Sequence, residues 1–450
     1  MNLALPKTRK RISFWKMPTF AMVLWVCLWC NLNTGFWNIR VPNTFSELVN
    51  TIRGSLPFAV LPIAAFMLLR RRKLQLPSQS PSRYLLFYGL IASFAAVFSP
   101  MPEWSLYWSC AFVASILAGW AAIDRADTLE AAQKLLISTW IATFIVAAII
   151  GYQARGTVFG SAATGYNVLS DLNGLSRSSG VARWAAVPGL VSLVRAYYTR
   201  RRGLIAFYLA ASAVSFFIVY RMQSRGAVFG SFAALIFAFL VSSKLRRYAL
   251  PFAAAAIVMI VIVESPETVS VRVASYLERG QNRTDFLSMT GRTRAYHRGT
   301  AAFEEAPILG RGQWADRLVV NEHIHNSFLQ ALLNSGIIGG IPYFASWFAG
   351  WWLFYRLQKS SNRLRPEDRI HLLECGTVMM FFTVRAMPET TTASYAVDLL
   401  VMIAVYLYLE CLTLRTKAIR RSQILQPYPF GGTWTNRHEM AASVGVGRQI

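Results

Sequence analysis

The feature that most constrains this chain is a series of long apolar runs, each bordered by basic residues. The runs are about long enough to cross a hydrocarbon core of about 30 Å as helices. A mean hydropathy of +0.37, with 54% hydrophobic residues, excludes an ordinary soluble domain. Only helices and closed barrels satisfy their backbone hydrogen bonds inside lipid. We therefore predict an all-α, polytopic membrane protein.

The apolar runs predict about 12 transmembrane helices. They cover residues 19–36, 54–69, 84–99, 104–123, 134–151, 181–198, 203–220, 226–243, 248–264, 337–355, 371–387 and 395–414. The sixth is the least regular, because charged residues and a proline interrupt it. The chain then divides into helices 1–9 (1–264), a long loop with short helices (265–335), helices 10–12 (336–414) and a tail (415–450).

The net charge of +25 would suggest nucleic-acid binding in a soluble protein. Here most basic residues lie at the ends of apolar runs, where the positive-inside rule places them. We therefore predict no nucleic-acid partner and a lipid bilayer instead. The basic segment before the first run predicts a cytoplasmic N-terminus, and twelve spans return the C-terminus to the same side. The loop 265–335 would then face the opposite side.

Six arginines near that outer side are candidates for binding an anion: Arg177, Arg183, Arg225, Arg292, Arg294 and Arg385. Arginine at the membrane surface is costly unless it is paired or solvated. A guanidinium group binds phosphate through two parallel hydrogen bonds, which predicts a diphosphate or lipid headgroup site. The alternative is pairing with acids such as Glu389 and Asp398, and for each single arginine it remains open.

His325 is the candidate catalytic residue. The segment 325–336 predicts a short amphipathic helix that ends at Gly336. A histidine at a helix N-terminus is favoured in its neutral form, which can act as a base. The alternative is a loop histidine at the membrane surface. His323 adds a His-x-His pair, but the sequence suggests no carboxylate cluster beside it, so we predict no metal.

Four motifs occur in a characteristic order. They are Ser224-Arg225-Gly226-Ala227, Gly291-Arg292-Thr293, the run 307–312 (PILGRG), and His325-Asn326 followed by Gly336. In this order, with a long outer loop late in a many-span chain, they resemble the bacterial O-antigen ligase and polymerase superfamily of membrane glycosyltransferases. The sequence departs from the family at Tyr296, where many relatives have tryptophan.

The resemblance implies a function in the bacterial inner membrane. Such enzymes take a glycan from undecaprenyl diphosphate at the periplasmic face. They transfer it with inversion, and without a metal or other cofactor, to an acceptor hydroxyl of lipid A–core or of a growing polysaccharide. His325 would activate the acceptor, and the six arginines would hold the diphosphate. Ser224, Asn326 and Gly336 would support the site, and other polysaccharide-assembly membrane proteins would be further partners.

Two alternatives of other classes remain. The first is a polytopic transporter of an anionic substrate or of a lipid-linked glycan, since twelve spans are also a common transporter layout. Transporters usually show related halves and interrupted helices near the midplane, whereas here the polar residues gather late in the chain. The second is a lipid-binding scaffold, for which His325 would be dispensable. The sequence does not separate ligase from polymerase.

Overall fold

The computed structural model describes residues 20–32, 43–71, 74–124, 127–153, 178–222, 224–242, 271 and 292–425. Throughout these ranges the regular structure is helical and no strand occurs. The predicted all-α class is therefore confirmed for this part of the chain.

The helices are numbered here in chain order. They are α1 (Phe20–Asn31), α2 (Asn43–Arg71), α3 (Pro81–Ala95), α4 (Pro102–Ile123), α5 (Thr128–Gln153), α6 (Ser178–Tyr198), α7 (Arg202–Arg221), α8 (Arg225–Val241), α9 (Arg292–Glu304), α10 (Ala315–Leu318), α11 (Ser327–Lys359), α12 (Pro366–Ala386) and α13 (Val397–Leu425). Short 3-10 turns follow α3 and α11.

Each predicted span within the described residues coincides with a helix, and the ninth, 248–264, lies outside them. Seven of the described helices are long and apolar enough to cross a membrane: α2, α3 with its 3-10 turn, α4, α5, α7, α11 and α13. The apolar helices α1 and α8 are shorter. The protein is thus a membrane protein, while the total of twelve spans and the sides of the two termini stay predictions.

The charges that lower the hydropathy of α6 and α12 are paired in the fold. Nε of Arg195 on α6 lies 2.7 Å from a carboxylate oxygen of Glu374 on α12. Glu374 is fully buried, so this pair joins the two helices inside the bundle. Charged residues inside a membrane protein are tolerated when they are paired. These charges lower the hydropathy of α6 and α12, although both helices pack inside the bundle.

Helix α13 is the centre of the bundle. Every residue from Val397 to Thr413 is buried, and α3, α4, α5, α11 and α12 pack around it. A helix that is apolar on all sides is expected in the core rather than at the surface. Outer helices such as α2 instead expose large apolar side chains, for example Phe66 and Leu69, to the surroundings.

Four helix ends meet at one end of the bundle. The end of α12 reaches the start of α6, where Arg385 lies 3.5 Å from the carbonyl oxygen of Ser179. The start of α11 contacts the connection between α12 and α13, since the Ser327 hydroxyl donates to the carbonyl of Glu389 at 3.1 Å. At the start of α8, Gly226 also packs against Glu389. This convergence positions the candidate site.

Candidate active site

The site is built on a break in helix α11 at Gly336. This residue has φ 59° and ψ −162°, so the helix is interrupted between its first two turns and its long apolar part. The position requires glycine, because a Cβ atom there would collide with the backbone of Ile308. The predicted end of a short helix at Gly336 is therefore confirmed.

The run 307–312 docks into this break and satisfies the backbone groups that the break leaves open. The amide of Arg311 donates to the carbonyl of Leu333 at 2.8 Å, and the amide of Ile337 donates to the carbonyl of Pro307 at 2.8 Å. Buried backbone groups need such partners. Two motifs that are separate in the sequence thus form one structural unit.

Asn326 begins α11 and holds its first turn. Its side-chain oxygen accepts hydrogen bonds from the amides of Phe328 and Leu329 at 3.0 and 2.9 Å, which is a helix N-cap. Its side-chain nitrogen donates to the carbonyl of Met387 at 3.1 Å. Asn326 therefore fixes both the helix start and the neighbouring connection between α12 and α13.

His325 lies two residues before α11, next to Glu389 of that connection. Its Nδ1 atom is 3.0 Å from carboxylate oxygen Oε2 of Glu389. An ionised carboxylate only accepts hydrogen bonds, so Nδ1 carries the proton and Nε2 keeps its lone pair. The backbone of His325 is left-handed, with φ 54°, an uncommon conformation that is held in place by its neighbours.

The second oxygen of Glu389 binds an arginine. Oε1 lies 2.7 Å from a terminal nitrogen of Arg292, at the start of α9. Burial alone would raise the pKa of Glu389, but the hydrogen bond from His325 and the charges of Arg385 and Arg292 outweigh burial and hold this pKa far below its usual range. Glu389 is therefore an anion that orients two functional side chains at once.

The imidazole of His325 is poised as a neutral base. Burial is the largest influence and lowers its pKa, while the hydrogen bond and the charge of Glu389 raise it; the net pKa is below the ordinary value of 6.5. The sequence attributed a neutral His325 to the helix N-terminus. In the structure the main cause is burial, because only 19% of the side chain remains exposed.

His323 forms a second histidine–carboxylate pair beside the first. Its Nδ1 atom lies 2.7 Å from a carboxylate oxygen of Asp316, on the short helix α10. The ring centroids of His323 and His325 are 4.3 Å apart. The atoms of His323, His325 and Glu389 that could bind a metal ion all lie within 4.8 Å of one another. The sequence suggested no carboxylate cluster beside the two histidines, whereas the fold places Asp316, seven residues before His323, and Glu389, 64 residues after His325, next to them.

Arg225 and Ser224 approach the same place from the start of α8. Ser224 is buried, Arg225 is partly buried, and the positive charge of Arg292 is close enough to Arg225 for the two to repel each other. Arg294 is exposed on α9, and two residues after Arg292 it points to another side of the helix. Arg177 lies outside the described residues.

Arg183 and Arg385 share one carboxylate. A terminal nitrogen of each lies 3.0 and 3.1 Å from the same oxygen of Asp398, at the start of α13. Arg385 and Asp398 are each 1% exposed, so this part of the cluster is buried behind Glu389. Both arginines thus pair with an acidic residue, as the alternative interpretation of the sequence expected. Diphosphate binding by Arg183 and Arg385 stays a prediction.

Reasoning from the sequence missed the role of Glu389 and Asp316. Glu389 was considered only as an acid that could neutralise an arginine. The signal that could have found it is its position in a polar segment, Pro388 to Ser394, between two apolar runs and on the predicted side of His325. Asp316 gave no comparable signal, because the αL turn at Trp314 decides where it points.

The geometry defines a membrane protein with an oriented neutral base and arginines at one end of a helical bundle. Residues 190–344 match the family described as O-antigen ligase. This match confirms the predicted resemblance to the O-antigen ligase and polymerase superfamily, and it supports a membrane glycosyltransferase of that type. No curated protein matches the chain.

Proposed function

We propose that this protein transfers a glycan from undecaprenyl diphosphate to a sugar hydroxyl at the periplasmic face of the bacterial inner membrane. The observation that carries the proposal is the arrangement around Glu389, which binds His325 through one carboxylate oxygen and Arg292 through the other. A base and a phosphate-binding group are thereby held side by side, as a displacement at a sugar carbon requires.

In the proposed reaction the acceptor hydroxyl oxygen attacks the anomeric carbon of the first sugar on the lipid carrier. Nε2 of His325 takes the hydroxyl proton while the bond between that carbon and the diphosphate oxygen breaks. The electron pair leaves with undecaprenyl diphosphate. Attack from the side opposite the leaving group inverts the configuration of the anomeric carbon.

The leaving diphosphate gains negative charge as this bond breaks. Arg225 and Arg292 would stabilise that charge, because both guanidinium groups lie near His325 at the starts of α8 and α9 and can donate hydrogen bonds to phosphate oxygens. Arg292 is 23% exposed and keeps donor groups beyond the one bonded to Glu389. Arg294, Arg177, Arg183 and Arg385 are further candidates for contact with the donor.

We propose that the reaction needs no metal. A cation bound by His323, His325 and Glu389 would lie next to the guanidinium group of Arg292, which already supplies a fixed positive charge at Glu389. Arginines can perform the charge stabilisation that metals provide in other phosphate chemistry.

The test is a transfer assay in purified membranes with a lipid-diphosphate glycan as donor. We expect His325→Ala to reduce transfer by about 100-fold or more, and Arg225→Ala to weaken it strongly. The matched controls are His297→Ala and Arg298→Ala, which change exposed residues of α9. Full transfer by His325→Ala would refute the catalytic role, and movement of the glycan lipid without transfer would indicate a transporter.

The acceptor is decided by the same assay run with two acceptors. Lipid A–core as the sole productive acceptor would define a ligase. Extension of a polysaccharide made of the donor's own repeat unit would define a polymerase. Both outcomes retain the His325 mechanism, since each acceptor presents a sugar hydroxyl.

A further inference from the structure

A cavity of about 780 Å³ lies beside the active site, between α2, the end of α1 and the starts of α4, α6 and α13. Its wall includes aromatic and charged side chains, among them Arg53, Glu103, Trp104, Tyr107, Trp108, Arg183 and Tyr395. Cavities of this size commonly hold small molecules or parts of larger ligands. None of the reactive groups discussed above, apart from Arg183, lines it.

Aromatic rings dominate this wall. Trp108 packs edge-on against Tyr107 at 5.1 Å and lies 6.3 Å from Tyr395, while Tyr107 contacts Phe58 at 5.7 Å. A pyranose ring has a face of C–H groups that packs on aromatic rings and an edge of hydroxyl groups that needs hydrogen-bond partners. Amphipathic aromatic residues offer both kinds of contact.

The wall also contains donor groups without a partner among the described residues. They are Nε and one terminal nitrogen of Arg53, Nε of Arg183, and the indole nitrogens of Trp108 and Trp184. Buried donors are normally hydrogen-bonded, so a group of them around one cavity calls for a ligand that supplies oxygen acceptors.

One ring contact and one shared chain segment connect the cavity to the active site. Trp108 stacks on Trp314 with ring centroids 4.3 Å apart and planes 8° from parallel, and Trp314 comes two residues before Asp316, the partner of His323. Tyr395 belongs to the same connection between α12 and α13 as Glu389. A chain of sugars could therefore have one unit at His325 and another in the cavity.

We infer that this cavity is a saccharide subsite, which binds a pyranose unit of the glycan substrate against Trp104 and Trp108 with Arg53 donating to its oxygens. The inference rests on the proposed function, because it takes the substrate to be a glycan. A purely apolar occupant such as a prenyl chain would leave the donors of the wall without partners and would not use Arg53 or Glu103.

The test measures binding by the full chain in lipid nanodiscs. The probe is the glycan released by mild acid from the host's own lipid-linked donor, observed by saturation-transfer NMR and calorimetry. We expect Trp104→Ala to weaken binding by about tenfold. The matched control is Trp352→Ala, because Trp352 is similarly exposed, at 48% against 52%, but lies on α11 away from the cavity.

A second variant covers the polar part of the site. Arg53→Gln should also weaken binding, and in the transfer assay both variants should raise the KM for the donor while kcat stays near that of the unmodified protein. Equal binding by Trp104→Ala and Trp352→Ala would overturn the inference. So would binding of undecaprenyl phosphate in the cavity without binding of the released glycan.

The failure of this inference can be told apart from the failure of the proposed function. Binding of the released glycan involves no bond cleavage, so it is measured equally well on His325→Ala. If His325→Ala transfers normally while Trp104→Ala still loses binding, the subsite stands and the catalytic role falls. If binding is unaffected by Trp104→Ala while His325→Ala abolishes transfer, the subsite falls and the catalytic role stands.

Discussion

The Nδ1 atom of His325 lies 3.0 Å from a carboxylate oxygen of Glu389, which is 64 residues later in the chain. This contact fixes the tautomer of the imidazole, turns Nε2 into the free acceptor and joins the start of α11 to the connection between α12 and α13. The other oxygen of Glu389 holds Arg292 at 2.7 Å. One buried carboxylate thus orients both the proposed base and a proposed diphosphate ligand.

Glu389→Gln should reduce kcat by about 100-fold. Glutamine keeps the size of the side chain, but it removes the charge that orients the Nδ1–H group and pairs with Arg292. The measurement is transfer rate in membranes, with Glu305→Gln as the control because the side chain of Glu305 is 65% exposed. Equal rates for the two variants would contradict the role of Glu389.

The pH dependence provides a separate test of the base. Since burial lowers the pKa of His325 below 6.5, transfer should fall only at pH values below that point, as the imidazole becomes protonated. Glu389 partly counteracts burial and raises this pKa. Glu389→Gln should therefore move the acidic limb of the remaining activity to lower pH. A shift to higher pH would disprove the assigned contact.

Gly336→Ala should destabilise the protein by about 1–3 kcal/mol. The added Cβ atom meets the backbone of Ile308, and φ 59° disfavours any residue other than glycine. Thermal unfolding in detergent measures the effect. Gly203→Ala is the control, since a Cβ atom at Gly203 would have open space around it. Similar unfolding temperatures for both variants would show that the break does not depend on Gly336.

Asp398→Asn should cost about 3 kcal/mol or more, because it leaves Arg183 and the fully buried Arg385 without their shared anion. Glu322→Gln removes an exposed pair with Arg298 and should cost at most about 1 kcal/mol. The comparison uses unfolding midpoints in the same detergent. A cost for Asp398→Asn as small as that for Glu322→Gln would mean that the arginines find other partners.

Chelation should leave transfer unchanged. His323, His325 and Glu389 could hold a cation by geometry, but Glu389 is already paired with Arg292. Transfer is measured with EDTA, and then with added Mg²⁺ or Zn²⁺. Loss of activity in EDTA that one of these ions restores would show a metal-dependent reaction and would reassign the three residues as ligands.

The sequence alone determined the helices, because long apolar runs can exist in lipid only as helices or closed barrels. It also located the break at Gly336, since glycine ends helices that other residues would continue. The motifs that carry the family resemblance lie in local segments, and residues 190–344 match that family. His325 and Arg292 were recognisable as candidate site residues because each lies in one of these motifs.

Only the tertiary structure decided which charges act together. Hydropathy does not reveal that Arg183 and Arg385 share Asp398, or that Arg195 pairs with Glu374, because each pair joins different helices. Likewise, Glu389 is the partner of His325 and Asp316 is the partner of His323. Backbone turns place these carboxylates, and hydrophobic periodicity does not predict such turns. The physical reason is that helix formation is a local property of the chain, whereas the pairing of buried charges depends on which helices pack together.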